Sequence, residues 1–201
     1  MTTKPFSHVS CIILSAGTSS RMGRHKALLN YDEDSTFIQR ITNTYVQAGI
    51  EQIIVVVNAE LFDLLIDMNL SLLHNVEFVI NENPELGRFH SLQTGVQHLK
   101  PGSYCFFQNI DNPFTSESLV QLMINRKDEA DLIIPVFQEK AGHPVLINGI
   151  VAQSILSADA TDVRIDHFLK QFHSLKIEVS DPAIRININS KEDYYKSGFK
   201  F

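Results

Sequence analysis

Val9–Leu29, VSCIILSAGTSSRMGRHKALL, is the stretch whose reading decides the rest of the chain. Its apolar opening, Val9 to Leu14, gives way at Ser15 to a loop of small residues in which Gly17 and Gly23 bracket Arg21 and which ends at Lys26. That pattern predicts a strand opening into an anion-binding turn. Glycine lets the backbone approach a ligand closely, and successive N–H groups can then converge on phosphate oxygens. Arg21 and Lys26 add the charge. The loop is not a P-loop, because no Gly-Lys-Ser/Thr follows at the required spacing, and it lacks the G-x-G-x-x-G of a dinucleotide site.

Outward from this loop, strand-like and helix-like segments alternate. Thr36 to Ala48 places Phe37, Ile41, Tyr45 and Ala48 on one helix face, closed by Gly49. Ile53 to Val57 is a continuous β-branched run that fits a buried parallel strand. A helix over Leu61 to Leu73, a strand over Val76 to Ile80 and a helix from the Asn83–Leu92 segment to about Leu99 follow. Tyr104 to Gln108 predicts a strand that delivers Asn109 to Phe114 to its C-terminal end, where ligands sit in open α/β sheets. Next come a helix over Glu117 to Asn125 and strands over Asp131 to Phe137 and Pro144 to Ile147, joined by a hairpin-like flap. Val163, Ile165, Phe168, Leu169 and Phe172 predict an amphipathic helix, and Ser190 with Asp193 reads as a helix start. The rhythm is that of a doubly wound α/β sheet.

Composition narrows the class. The chain has 201 residues, 44% hydrophobic and 20% charged, enough for one sizeable core, so a single domain over 1–201 is expected. A net charge of −6 argues against nonspecific nucleic-acid binding. The N-terminal MTTKPFSHVS lacks an apolar signal core, and no run approaches the ~18 apolar residues of a membrane span. A cytoplasmic protein with no membrane partner is expected. Cys11 and Cys105 each lie in an apolar run and read as buried thiols. None of the eight His falls in a zinc-type array.

Leu14, Ala16, Gly17, Ser19, Arg21, Met22, Gly23 and Lys26 fall in register with L-A-[AG]-G-x-S-x-R-M-G-x-x-K, the opening signature of the molybdenum cofactor guanylyl- and cytidylyltransferases. The chain resembles that family elsewhere too. Gly87, Ser91 and Leu92 match its G-x-x-x-S-L, and Asp111, Pro113 and Phe114 match its D-x-P-F. Gly142-His143-Pro144-Val145 is similar to the G-H-P-V of the cytidylyl branch. Ile186 to Asp193 matches [DN]-x-[DN]-T-P-E-D more loosely, with Asn187 and Asn189 at the first two bracketed positions, Ser190 for Thr and Lys191 for Pro.

The resemblance implies a three-layer αβα, Rossmann-like, mostly parallel sheet of the nucleotide-diphospho-sugar transferase type. It also implies an Mg-dependent nucleotidyltransferase that moves a nucleoside monophosphate from CTP or GTP to a phosphate-bearing acceptor, molybdopterin-type, releasing pyrophosphate. On that reading Leu14, Ala16, Gly17, Thr18, Ser19, Ser20, Gly87 and Ser91 bind nucleotide, and Arg21, Lys26 and Asp111 are catalytic. Asp111 ligates Mg with help from the amide oxygen of Asn187, and His143 contacts the acceptor. A His before Pro is held extended, which would aim its ring rather than bury it. Ala16 and Gly142-His143-Pro144 lean towards cytidylyl transfer, whereas Asn187-Ile188-Asn189 leans towards guanylyl transfer. A sugar or polyol phosphate as acceptor, a molybdoenzyme as partner, and a non-catalytic nucleotide-binding descendant of such an enzyme stay open.

Overall fold

The computed structural model describes residues 8–17, 22–67 and 75–199. In chain order the elements are β1 (Val9–Leu14), α1 (Phe37–Gln47), β2 (Gln52–Val57), α2 (Ala59–Asp67), β3 (Val76–Ile80), α3 (Gly87–Val96), β4 (Tyr104–Asn109) and α4 (Glu117–Asn125). The second half adds β5 (Leu132–Phe137), β6 (Lys140–Ala141), β7 (Val145–Ile147), α5 (Gly149–Ser157), α6 (Ile165–Phe168), β8 (Ser174–Glu178) and α7 (Lys191–Lys196). The eight strands form one sheet in which β3, β2, β1 and β4 run parallel. β7 then inserts antiparallel between β4 and β5, and β8 pairs parallel with the far edge of β5.

Both faces of the sheet are covered. Along β1, Cys11 and Ile13 enter one core with α1 and α4, while Ile12 and Leu14 enter the other with α3 and α5. A strand buried on both faces has no polar side to alternate with, which is why its sequence reads as a continuous apolar run. Cys11 and Cys105 are free, fully buried and on opposite faces. Burial pushes both thiols far above the ordinary range.

Several boundaries differ from the sequence reading. α2 starts at Ala59 and is described to Asp67, and residues 68–74 lie outside the described set. α3 stops at Val96 instead of Leu99, because Leu99 N–H donates to Val96 C=O in a tightened final turn just ahead of Pro101. The amphipathic segment near Phe168 is one short turn, α6, followed by a 3-10 turn over Leu169–Gln171. α5 and β8 were not anticipated. α5 starts on a glycine, with the Asn148 side chain capping Val151 N–H, and β8 is short and half exposed.

Candidate active site

β1 and β4 are parallel neighbours in the register Leu14 to Asn109, so the glycine loop and the Asp111 segment leave the sheet side by side at its C-terminal edge. The loop is seated by backbone and side chain together. Ser15 N–H donates to Val56 C=O at 2.8 Å, and Asn58 Nδ2 donates to Ala16 C=O at 3.1 Å while its Oδ1 receives Leu61 N–H. Thr18, Ser19, Ser20 and Arg21 lie outside the described residues. Met22 is buried and Gly23 has φ +66°, a left-handed conformation that suits glycine.

Beyond Gly23, a 3-10 turn over Lys26–Leu28 buries Ala27 and Leu28 in the core, which leaves Lys26 facing the cleft. Its Nζ lies 3.3 Å from Asp111 Oδ2 and 2.8 Å from Asn189 Oδ1. Side-chain exposure is only 13% for Lys26 and 18% for Asp111, so this pair is weakly screened. The other carboxylate oxygen, Asp111 Oδ1, is buried and has no hydrogen-bond partner among the described residues.

The residue after Asp111 ties the third motif to the first two. Asn112 is fully buried, and its Nδ2 faces the carbonyls of Ala183, Ile184 and Ile186 at 3.3, 3.2 and 2.7 Å. Ile188 N–H donates to Asp111 C=O at 2.7 Å. Residues 183–188 are thus fastened across the mouth of β4, and Asn187 and Asn189 are carried to the same cleft. Asn112 fills the variable position of D-x-P, so no motif could have singled it out.

The same 183–186 segment holds the flap. β6 and β7 pair with one side of β5, since Val136 pairs with Ala141 and Ile133 with Leu146. Between these pairs Gly142, His143 and Pro144 form a bulge, a device that re-aims a side chain. A Cβ on Gly142 would lie 2.6 Å from Ile184 Cδ1 and from its carbonyl oxygen, so only glycine fits, and His143 N–H donates to Ile184 C=O at 2.9 Å. The His143 ring is half-buried, more enclosed than its place before Pro144 suggested: Nε2 lies 3.2 Å from Asn109 Nδ2, and Nδ1 is buried without a partner among the described residues. Burial pushes its pKa below the ordinary value of 6.5, Asp111 opposes that shift, and the Arg88 charge adds to it.

A cleft of about 700 Å³ is lined by Leu14, Ala16, Gly17, Lys26, Ser91, Asp111, His143 and Asn187, and also by Met22, Arg88, Asn109, Ile110 and Asn189. Ser91 Oγ donates to Gly87 C=O at 3.3 Å and receives Asn81 Nδ2 at 3.0 Å. Gly87 lies outside this wall; its φ of +87° makes the turn into α3. Arg88, Asn109 and Asn189 were passed over as site residues in the sequence. Arg88 stands between the matched Gly87 and Ser91, and that adjacency was the available signal.

The residues fit a divalent cation. Asp111 Oδ1 is a buried oxygen donor with no partner among the described residues, and Asn187 lines the cleft beside it. No group of three or more His, Cys, Asp or Glu that could hold a metal occurs among the described residues. One carboxylate with amide help suits an ion that takes most of its ligands from water and substrate phosphates.

A mostly parallel sheet with the loop after β1 and the Asp111 carboxylate at neighbouring strand ends defines an α/β domain with its ligand cleft at the C-terminal edge of the sheet. The crystal structure of Rv0371c from Mycobacterium tuberculosis superimposes with a TM-score of 0.80 at 18% identity, over 95% of this chain and 98% of that one. A second structure of that protein, complexed with manganese, gives 0.78 at 18% identity over 94% and 97%. Residues 11–176 match the MobA-like NTP transferase domain, and the chain belongs to that family. It is 31% identical over 132 residues to a probable molybdenum cofactor guanylyltransferase of Clostridium perfringens, covering 65% of this chain but only 61% of that relative. The molybdenum cofactor cytidylyltransferase of Escherichia coli is 26% identical over 194 residues, 94% of each chain. No helix among the described residues is long and apolar enough to cross a membrane.

Proposed function

We propose that residues 1–201 act as one cytoplasmic nucleotidyltransferase unit that transfers a nucleoside monophosphate from CTP or GTP to the phosphate of an acceptor of the molybdopterin type, with Mg²⁺. The observation that carries this reading is the meeting of Lys26 with Asp111 at 3.3 Å, in the cleft that Ala16, Gly17, Asn187 and Asn189 also line. An acceptor phosphate oxygen forms the new bond to the α-phosphorus. The bond from that phosphorus to the bridging oxygen breaks, and pyrophosphate leaves with the electron pair. A phosphate monoester with a second pKa near ~6 is already mostly dianionic, so little base catalysis is needed.

The barrier is electrostatic, and this chain's groups address it. The loop from Ala16 to Ser20 cradles phosphates, Lys26 and Arg21 offset charge that builds on the leaving group, and His143 faces the acceptor. A bound Mg²⁺, held by Asp111 with Asn187 and the nucleotide's phosphates, would supply further charge neutralisation. The manganese in the Rv0371c complex supports a divalent ion in this fold. The two named relatives divide between guanylyl and cytidylyl transfer, as the chain's own motifs do. Incubation with molybdopterin, Mg²⁺ and CTP and GTP in competition, following pyrophosphate, tests the reading. Release dependent on one of the two nucleotides is expected. Tight nucleotide binding with no release for any phosphate acceptor would favour the non-catalytic alternative.

A further inference from the structure

Gln108 is the polar exception in β4. With Phe106 it points to the face of the sheet that α1 and α4 cover, and it is fully buried there. Burying a primary amide costs free energy unless the amide is hydrogen-bonded. Both of its ends are: Tyr45 Oη donates to Gln108 Oε1 at 2.7 Å, and Gln108 Nε2 donates to Asn112 C=O at 2.5 Å. Tyr45 is a fully buried residue of α1, packed on Phe106 with ring centroids 5.6 Å apart. A phenylalanine at 45 with an apolar residue at 108 would fill the same space, and removing both partners of a buried hydrogen bond is often neutral for stability. What sets Gln108 apart is therefore the carbonyl that its amide holds.

That carbonyl belongs to the residue after Asp111. β4 ends at Asn109, and Ile110 N–H makes a final contact with β1 by donating to Leu14 C=O at 3.1 Å. Beyond it, Asp111 C=O receives Ile188 N–H at 2.7 Å and Asn112 C=O receives Gln108 Nε2; among the described residues no other donor reaches the Asn112 carbonyl. Asn112 in turn presents Nδ2 to the carbonyls of Ala183, Ile184 and Ile186. One side chain thus pins the peptide next to Asp111 and, through Asn112, the segment that carries Asn187 to the cleft. The Asp111 carboxylate stands on this pinned backbone, with Oδ2 on Lys26 and Oδ1 buried.

We propose that Gln108 is a positioning residue for the metal site: its amide fixes the Asp111–Asn112 backbone, so that the Asp111 carboxylate and Asn187 are presented together to a divalent cation. The inference rests on the metal reading of Asp111 given above. Gln108 does not line the cleft, so its effect travels through the backbone. Ligating carboxylates depend on the groups that orient them, and loss of such a group typically costs about 10–100-fold in metal affinity.

The experiment compares the full wild-type chain with Gln108→Met, which keeps the side chain's length but loses both hydrogen bonds, and with the double variant Tyr45→Phe/Gln108→Met. Mn²⁺ binding is measured by electron paramagnetic resonance without nucleotide or acceptor, and exchange of the Ile188 amide by nuclear magnetic resonance. Gln108→Met is expected to bind Mn²⁺ about tenfold more weakly. Its Ile188 amide should exchange about tenfold faster, with the β2 amides unchanged. The double variant should regain thermal stability, since no Tyr45 hydroxyl is left without its acceptor, but neither Mn²⁺ affinity nor Ile188 protection. The proposal is overturned if Gln108→Met leaves either readout unchanged. It is equally overturned if the double variant restores both, which would make Gln108 a partner for Tyr45 and nothing more. Asp111→Asn separates the two readings. Mn²⁺ binding lost in Asp111→Asn yet intact in Gln108→Met strikes the Gln108 role alone. No binding by the wild type, or binding that survives Asp111→Asn, strikes the metal reading and the Gln108 role with it.

Discussion

Lys26 and Asp111, 85 positions apart in the chain, form a direct ion pair at 3.3 Å. The ammonium therefore occupies one oxygen of the carboxylate assigned to the metal. It thus competes with a cation for Asp111, and the phosphates of a triphosphate would offer it another anionic partner. Replacing Lys26 by Met should tighten Mn²⁺ binding to the nucleotide-free protein while lowering turnover, the latter by about a hundredfold, as removal of one charge-stabilising contact typically does. Electron paramagnetic resonance of free Mn²⁺ measures the first effect and pyrophosphate release the second. Weaker Mn²⁺ binding in Lys26→Met would contradict the competition.

Asn112 fastens residues 183–186 to the mouth of β4 through three carbonyl contacts. Asn112→Ala should cost about 1–3 kcal/mol of stability, because buried carbonyls lose their donor. Asn112→Asp should be worse than Ala, since it turns an anionic oxygen on those carbonyls. Thermal melts of both variants check the order. A carboxylate that proves milder than alanine would mean that the amide's donor role has been misassigned.

Gly142 has no room for a side chain against Ile184. Gly142→Ala should destabilise by about 1–3 kcal/mol through overpacking and shift the bulge that presents His143. Amide exchange is the discriminating measurement. Faster exchange is expected in residues 142–147 and 183–188, with β1 and β2 unchanged.

His143 supplies a pH dependence of stability with a definite sign. Burial lowers its pKa in the folded protein below the ordinary 6.5, so the unfolded chain takes up that proton first on acidification. The contribution is fully present above 6.5 and is lost as pH falls towards the lower folded value. With chelator present, the melting-temperature difference between wild type and His143→Gln should shrink from about pH 7 to about pH 5. A difference that widens on acidification would reverse the assigned direction.

In the parallel half, β1 and β2 were legible because they are buried on both faces, and the edge strand β3, in which only Val79 is buried, was legible from its short apolar run alone. Val9–Leu14 and Val76–Ile80 match the sequence reading residue for residue, and Ile53–Val57 differs by one. The hairpin-like flap read between Asp131–Phe137 and Pro144–Ile147 agrees with the antiparallel pairing of β5 and β7, but the insertion of β7 between β4 and β5 was not legible, since a three-residue strand carries no signal of its second neighbour. β8 escaped because only Ile177 of its residues is buried, and its pairing with β5 joins segments remote in sequence. At the site, Leu14, Ala16, Gly17, Lys26, Ser91, Asp111, His143 and Asn187 were read from motifs, and the sheet brings them to one cleft. The parts that hold the cleft together were not readable. Asn58 and Asn112 act through hydrogen bonds to carbonyls remote in sequence, and a side chain's long-range partners leave no local pattern.

The central claim is tested most directly by the fate of label. With Mg²⁺, molybdopterin and the preferred nucleotide labelled separately at its α- and γ-phosphates, the account predicts α-label in the acceptor and γ-label released as pyrophosphate. Both products should fall together in Asp111→Asn. Transfer of γ-label to the acceptor, or release of orthophosphate with the α-label left on free nucleoside diphosphate, would contradict it.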